Sequence, residues 1–408
     1  MILRKSINIL FELIGGNALS QIIIIISMPL IIREYTPQDF GVLAIINSIV
    51  IIIGVIGLGR YDQLIYKFTD RNNWIRCHTN GMSILIILST IIFIVSIASY
   101  NNLYTDSSFI FIAPLIFSFS AYQMYCSILS LEQFYRIIVI SNIIRSIILV
   151  TSQYFLSDWA SFGLITGLFL SQIFSLTIVA SVCHYHLKYR FASQLDFSDF
   201  KEAIFSSSQS LANSISSELP TVFIPYQFGL ILLGYYNLAI KLTQLPITFF
   251  SNAIRPFIMG ELNKNKDEKE IIYKRLRQSS FLLLFLSILG ILLINFLSEK
   301  FFILYAGEKW SASGEIASAL SFWLLIAFAN IIATSYMTID ARFKELFYYD
   351  FSLLIVRLLT IVLCYILSMS FMYFIYLYSI IGMLFNIFII FYAISLSKKK
   401  INTQASSQ

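Results

Sequence analysis

Long apolar runs punctuated by short polar clusters set the pattern of this chain. The runs recur at about 20 residues, enough for a helix to cross a ~30 Å hydrocarbon core, whereas barrel strands would show alternating segments of about 10. Twelve spans are predicted, at about 9–32, 42–66, 80–99, 108–130, 137–156, 160–187, 204–228, 234–256, 279–298, 314–339, 350–370 and 372–396. The expected fold class is therefore an all-α polytopic membrane protein. The thinnest divisions fall between close pairs such as the seventh and eighth spans.

Composition excludes an ordinary soluble domain. The chain is 58% hydrophobic and 12% charged, with a mean hydropathy of +0.79, against about 25% charged residues in average proteins. Basic residues then orient the spans. With the N-terminus inside, only Arg33, Lys300 and Lys309 fall on the outer side, five cations fall within spans, and the rest of the 28 Lys and Arg fall inside. One span more or fewer would scramble this alternation, so both termini are expected on the cytoplasmic side. The net charge of +6 thus reads as topology, and no nucleic-acid partner is expected.

Arg4-Lys5 before an apolar run imitates a signal peptide, but no small-residue cleavage site follows and the span continues to Pro29 and Arg33. It is expected to be the retained first helix. The cysteines Cys77, Cys126, Cys183 and Cys364 show no paired spacing and are expected to be reduced packing residues. His184 and His186, two residues apart, point to different faces of a helix. No metal or other cofactor is expected.

Two halves are predicted, a six-helix lobe over 1–200 and another over 201–397, with a cytoplasmic tail at 398–408. Phe228-Gly229 through Gly234-Tyr235-Tyr236-Asn237 echoes Phe40-Gly41 at the start of the second span. Each following span carries a basic residue near its inner end, Arg60 in the first half and Arg255 in the second. A six-helix repeat keeps its orientation, which makes the halves parallel repeats. The charged segment from about Gly260 to Gln278 reads as a solvated amphipathic connector between the eighth and ninth spans.

Five cations inside spans carry the functional signal: Arg60, Arg145, Lys241, Arg255 and Arg357. Each would cost about 2.5–3.5 kcal/mol at the centre of a lipid-facing helix, so such residues normally face a wet or paired interior. Arg60 and Arg255 lie close enough to the inner face to snorkel, while the other three are deeper. The eighth span carries Asn237, Lys241, Gln244, Thr248, Asn252 and Arg255 at steps of three and four, one stripe rising roughly 21 Å between its two cations. Asn213 on the seventh span and Asn17 and Gln21 on the first are further polar lining candidates. Clear of the span edges, the acids are Glu12, Asp62 and Glu218, and Asp62, two residues from Arg60, is not expected to face it on a helix. Complete pairing would still leave positive charge in excess, which favours an anionic guest. Glu218 precedes Pro220, in a span that also holds Pro225, and broken helices recur where transporters bind or hinge.

At this point a family is visible. The run Gly16-Asn17-Ala18-Leu19-Ser20-Gln21, continuing through Pro29 to Gly41 and then Arg60-Tyr61-Asp62, resembles the start of Wzx-type O-antigen flippases, and Leu233-Gly234-Tyr235-Tyr236-Asn237 through Lys241 to Pro246 resembles their second half. These are polysaccharide transporters of the MATE-like flippase superfamily. The resemblance implies a V-shaped pair of six-helix lobes around a cationic cavity, in a bacterial inner membrane. It also implies movement of an undecaprenyl-pyrophosphate-linked oligosaccharide to the periplasmic leaflet for lipopolysaccharide or similar surface polysaccharide, alongside a polysaccharide polymerase and chain-length regulator. Arg60, Asp62, Asn237 and Lys241 are the motif-borne positions. Arg145, Arg255 and Arg357 rest on depth.

The expected activity is thus non-enzymatic flipping by alternating access. Arg and Lys would neutralise the diphosphate while Ser, Asn, Gln and Tyr replace water around the sugars; Tyr104, Tyr122, Tyr226, Tyr235 and Tyr236 are stacking candidates. No phosphate-binding loop of the ATPase kind is present, which leaves H⁺ or Na⁺ coupling through Asp62, Glu218 or Glu12, or product removal. The rivals are a cation-coupled multidrug exporter on the same scaffold, which would want net negative charge, and a membrane oligosaccharide polymerase or ligase, which would want a sizeable outer loop bearing Arg or His.

Overall fold

Thr36 and Asp39 show how polar punctuation ends one span and begins the next. The Thr36 hydroxyl accepts from the Asp39 backbone N–H at 3.3 Å, and the Asp39 carboxylate accepts from the Thr36 N–H at 2.9 Å. With Pro37 in the first turn, where its missing N–H costs nothing, this capping box starts a new helix two residues after the last one stops.

A computed structural model describes the backbone of residues 2–68, 70–103, 107–188, 200–264, 268–340 and 342–405; the side chains of 2–14, 17, 99–103, 200–210, 249, 252–264, 343 and 402–405 fall outside that description. Every regular element among the described residues is helical. Ten of the helical segments are long and apolar enough to cross a membrane, and they coincide with the second to sixth and eighth to twelfth predicted spans. The first and seventh predicted spans are also helical.

Two compact units divide the chain, Met1–Pro225 and Tyr226–Gln408. The division falls one helix later than an equal sharing of the predicted spans. The first unit holds α1 (Ile2–Glu34), α2 (Pro37–Gly57), the short α3 (Tyr61–Leu64), α4 (Arg71–Leu103), α5 (Ile112–Leu131), α6 (Tyr135–Phe155), α7 (Ala160–Ser181) and nearly all of α8 (Phe200–Phe228). Within it α6 packs on α1 and α7, and α5 packs on α2, α4 and α7. Gly163 and Gly167 permit the α6–α7 approach. A Cβ at Gly163 would sit 2.0 Å from the Leu156 carbonyl oxygen, and one at Gly167 would sit 2.6 Å from Gln153 Cγ. Gln153 is thereby placed to donate to the Leu164 carbonyl at 2.9 Å and to accept the Tyr35 hydroxyl on its own carbonyl at 2.6 Å. Small residues and hydrogen bonds replace the hydrophobic effect as glue between helices surrounded by lipid.

The second unit holds α9 (Leu230–Lys264), α10 (Lys269–Ala306), α11 (Ser311–Ala329), α12 (Ile331–Ile339), α13 (Phe343–Ile366) and α14 (Phe371–Ala405). A single residue, Gly229 with φ +91°, separates α8 from α9. The tenth predicted span is two helices, α11 and α12, parted at Asn330, whose side-chain amide donates to the Asn386 carbonyl oxygen. Asn386 in turn donates to the Gly382 carbonyl at 2.6 Å. Leu276 of α10, Ala333 and Met337 of α12, and Ile390 and Ala393 of α14 share one buried core. The outward face of α10 is a run of exposed apolar side chains, with Phe296 83% and Leu304 81% exposed. That surface suits lipid and would not suit water.

The second predicted span ends early. Its helix stops at Gly57, and Gly59 and Arg60 follow with φ of 54° and 62°. Two consecutive left-handed residues swing the chain out of the helix, so Asp62 lies beyond the membrane-spanning segment, on α3.

Candidate functional site

The turn after α2 brings together two residues that helical spacing would have kept apart. Arg60 Nη1 lies 3.9 Å from Asp62 Oδ2, with the two side chains only 11% and 9% exposed. The expectation that Asp62 does not face Arg60 is therefore corrected, because residues 58–60 form a turn where a continuing helix was assumed. Arg60 adopts a left-handed conformation that costs an L-residue about 1–2 kcal/mol. Burial raises the Asp62 carboxyl above its ordinary value, and the adjacent guanidinium pulls in the opposite direction. A carboxyl so placed keeps its proton to higher pH than one in water.

Arg145, on α6, is half-buried in the first unit and lies over the Tyr122 ring of α5, its Cζ 5.9 Å from the centroid. The Tyr122 hydroxyl is 2.9 Å from Ser141 Oγ and donates to Asn142 Oδ1 at 2.8 Å. Tyr122 is thus a buried, hydrogen-bonded partner of the cation more than an open sugar platform. Gln21 on α1 and Glu218 on α8 are half-buried, and Asn213 on α8 is exposed.

In the second unit, α9 keeps Asn237, Lys241 and Gln244 half-buried and leaves Thr248 exposed. The Thr248 hydroxyl donates back to the Leu245 carbonyl at 2.9 Å, so its own helix satisfies it. Among the described residues neither Lys241 nor Arg145 has an ion-pair partner within 4.0 Å, so the internal carboxylate pair that would account for them is not found. Tyr235 meets Trp310 edge-on at 5.8 Å, Tyr236 is buried at 1% exposure, and Tyr226 is 75% exposed. The side chains of Glu12, Asn17, Asn252, Arg255 and Tyr104 lie outside the described residues.

Arg357 has a setting of its own. It is 3% exposed, with its Cζ 4.3 Å from the Trp323 ring centroid and 4.6 Å from that of Tyr378. The sequence reading gives this cation a cavity role; the structure buries it against the Trp323 and Tyr378 rings, which meet each other edge-on at 5.8 Å, so cation–π attraction stands in for hydration. Sequence reasoning also missed a buried ring cluster in the first unit. His78 of α4 lies 5.2 Å from Tyr125 of α5, whose hydroxyl is 2.8 Å from His184 Nε2. His184 sits in a π-helical turn, Val182–His186, which the two-residue spacing from His186 could not reveal. Among the described residues no group of three or more His, Cys, Asp or Glu is arranged to hold a metal.

A family model described as polysaccharide biosynthesis protein matches residues 30–315. Among solved structures, the chain is similar to the lipid II flippase MurJ in an inward closed conformation, at 14% identity and a TM-score of 0.72, over 94% of this chain and 87% of that one. It is also similar to an inward-facing multidrug resistance MATE family transporter of the MOP superfamily, at 12% identity and a TM-score of 0.68, over 95% and 96%. A Vibrio cholerae MATE transporter matches at 12% identity and a TM-score of 0.55, over 98% and 97%. These likenesses establish a MATE-like fold. No curated protein matches the chain.

Proposed function

This chain belongs to the polysaccharide biosynthesis protein family, and from that membership we propose that it is a flippase for an undecaprenyl-pyrophosphate-linked oligosaccharide, an O-antigen or similar repeat unit. It acts in a bacterial inner membrane with both termini cytoplasmic. Lys241 is the observation that carries the reading. A half-buried cation with no carboxylate partner among the described residues, on a polar stripe with Asn237 and Gln244, needs an anion that comes and goes. A diphosphate supplies one, and the polar stripe supplies hydrogen bonds that hydrocarbon cannot give to sugar hydroxyls. Arg145 assists, while Arg60 and Asp62 form a switchable pair at the end of α2, with Asp62 as the coupling site for H⁺ or Na⁺. No bond in the substrate is made or broken.

The test is restoration of surface polysaccharide in a strain lacking the gene. Wild type should restore it and Lys241→Ala should not, with lipid-linked repeat units retained on the cytoplasmic side. A chain that instead confers drug resistance and leaves polysaccharide unchanged would be a multidrug exporter.

A further inference from the structure

A groove between the start of α10 and the end of α14 shares no lining residue with the candidate site described above. It encloses about 1060 Å³ and is lined in part by Glu270, Lys274, Arg277 and Phe281 of α10 and by Lys398 and Ile401 of α14. On α10 these residues step by four, three and four, so they share one stripe. Lys274 and Arg277 on one wall and Lys398 on the other outnumber the one carboxylate, Glu270, and this positive excess selects for an anion.

Depth separates the charge from the grease. Phe281 lies roughly 10 Å along the helix from Lys274, toward the centre of the span. Its ring meets Phe391 of α14 edge-on at 6.3 Å, and the two are 46% and 50% exposed. Beneath the groove, Ile272 and Leu276 of α10 pack with Ile390 and Ala393 of α14 in the buried core, so the two walls are held together by packing. Cations at the rim above a half-exposed aromatic shelf reproduce the cross-section of one leaflet, headgroup above acyl chain. A soluble acidic peptide would have no use for the shelf.

We propose that this groove binds an anionic membrane phospholipid, its phosphate held by Lys274, Arg277 and Lys398 and its upper acyl carbons resting on Phe281 and Phe391. Arg277 can grip a phosphate bidentately, and basic pockets between membrane helices are suited to such headgroups.

Native mass spectrometry of the purified full chain in detergent tests this, using phosphatidylglycerol and phosphatidylcholine as probes. Wild type should prefer phosphatidylglycerol by at least about tenfold, a discounted value for three cations at about 1 kcal/mol each. The triple variant Lys274→Gln, Arg277→Gln, Lys398→Gln should lose that preference, while Lys188→Gln with Lys344→Gln, outside the groove, should keep it. If the triple variant fails to fold, Lys398→Gln alone should lower the preference by about twofold, its share of that discounted value. Equal binding of the two lipids, or a preference that survives the substitutions, overturns the proposal. So does inorganic phosphate competing as strongly as the lipid, since the ligand would then be a free anion.

Discussion

The guanidinium carbon of Arg357 lies 4.3 Å from the centre of the Trp323 ring, inside the second unit. Tyr378 closes the other contact at 4.6 Å. A desolvated cation–π contact is worth about 2 kcal/mol or more. Arg357→Gln is therefore expected to destabilise the protein by at least about 2 kcal/mol, and a double-mutant cycle with Trp323→Leu should give a coupling of about 1–2 kcal/mol. Unfolding in detergent measures both. A stable but inactive Arg357→Gln would instead place this cation on the substrate path.

Lys241 predicts the opposite pattern. With no ion-pair partner among the described residues, its charge is a standing cost to the fold, and removing it relieves that cost. Lys241→Met should fold as well as wild type or better, by up to about 1–3 kcal/mol, yet fail to restore surface polysaccharide. Lys241→Arg keeps the charge with different geometry and should restore part of it. The reading is lost if the Met variant transports normally.

Arg60 separates backbone from charge. Its φ of 62° suits glycine and strains any other residue. Arg60→Gly and Arg60→Ala both delete the contact with Asp62, so they should lose transport alike. The Gly variant should nonetheless be more stable than the Ala variant by about 1 kcal/mol, because only Ala retains the strain. Equal stability would mean that the turn relaxes when the guanidinium is gone.

Asp62 makes a pH prediction. Its carboxyl is raised in the native state, chiefly by burial. As pH rises from below the ordinary carboxylate value, the unfolded chain ionises first and the native state keeps its proton longer. Stability should therefore fall with rising pH across the window between the ordinary value and the raised one. Asp62→Asn should flatten that slope in thermal unfolding measured from acid to neutral pH, and an unchanged slope would assign it to another group. If Asp62 is the coupling site, the same variant should also lose any dependence of transport on an imposed pH gradient.

Much of the bundle was legible in the apolar runs, because a membrane demands some 20 apolar residues wherever a helix crosses it. Local chemistry marked some boundaries as well, as at Thr36-Pro37-Gln38-Asp39. What composition could not show was where a run contains a break. Gly57-Leu58-Gly59-Arg60 stays apolar enough to read as span, yet two left-handed residues end the helix there and turn Arg60 onto Asp62. Contacts distant in sequence were hidden for a different reason. Arg357 meets Trp323 and Tyr378, 34 and 21 positions away, and no periodicity within α13 encodes which rings its neighbours present. Lys241 was legible as a site candidate because its evidence, a polar stripe at helical spacing, lies on its own helix.

Gly167 tests whether α6 and α7 are locked by one shared hydrogen-bond relay. A Cβ there would come within 2.6 Å of Gln153 Cγ and 3.0 Å of the Gln153 backbone nitrogen, so α6 must shift to admit it. That shift loosens both bonds of Gln153, the donation to the Leu164 carbonyl and the acceptance of the Tyr35 hydroxyl. Overpacking of this kind costs about 1–3 kcal/mol, and Tyr35→Phe, which removes one bond, about 0.5–1.5 kcal/mol. Because Gly167→Ala already weakens the Tyr35 bond, the double variant should be less destabilised than the sum of the singles, by a few tenths of a kcal/mol or more. Strict additivity in detergent unfolding would mean that the α7 contact and the Tyr35 bond are independent, and that the two ends of Gln153 do not report on each other.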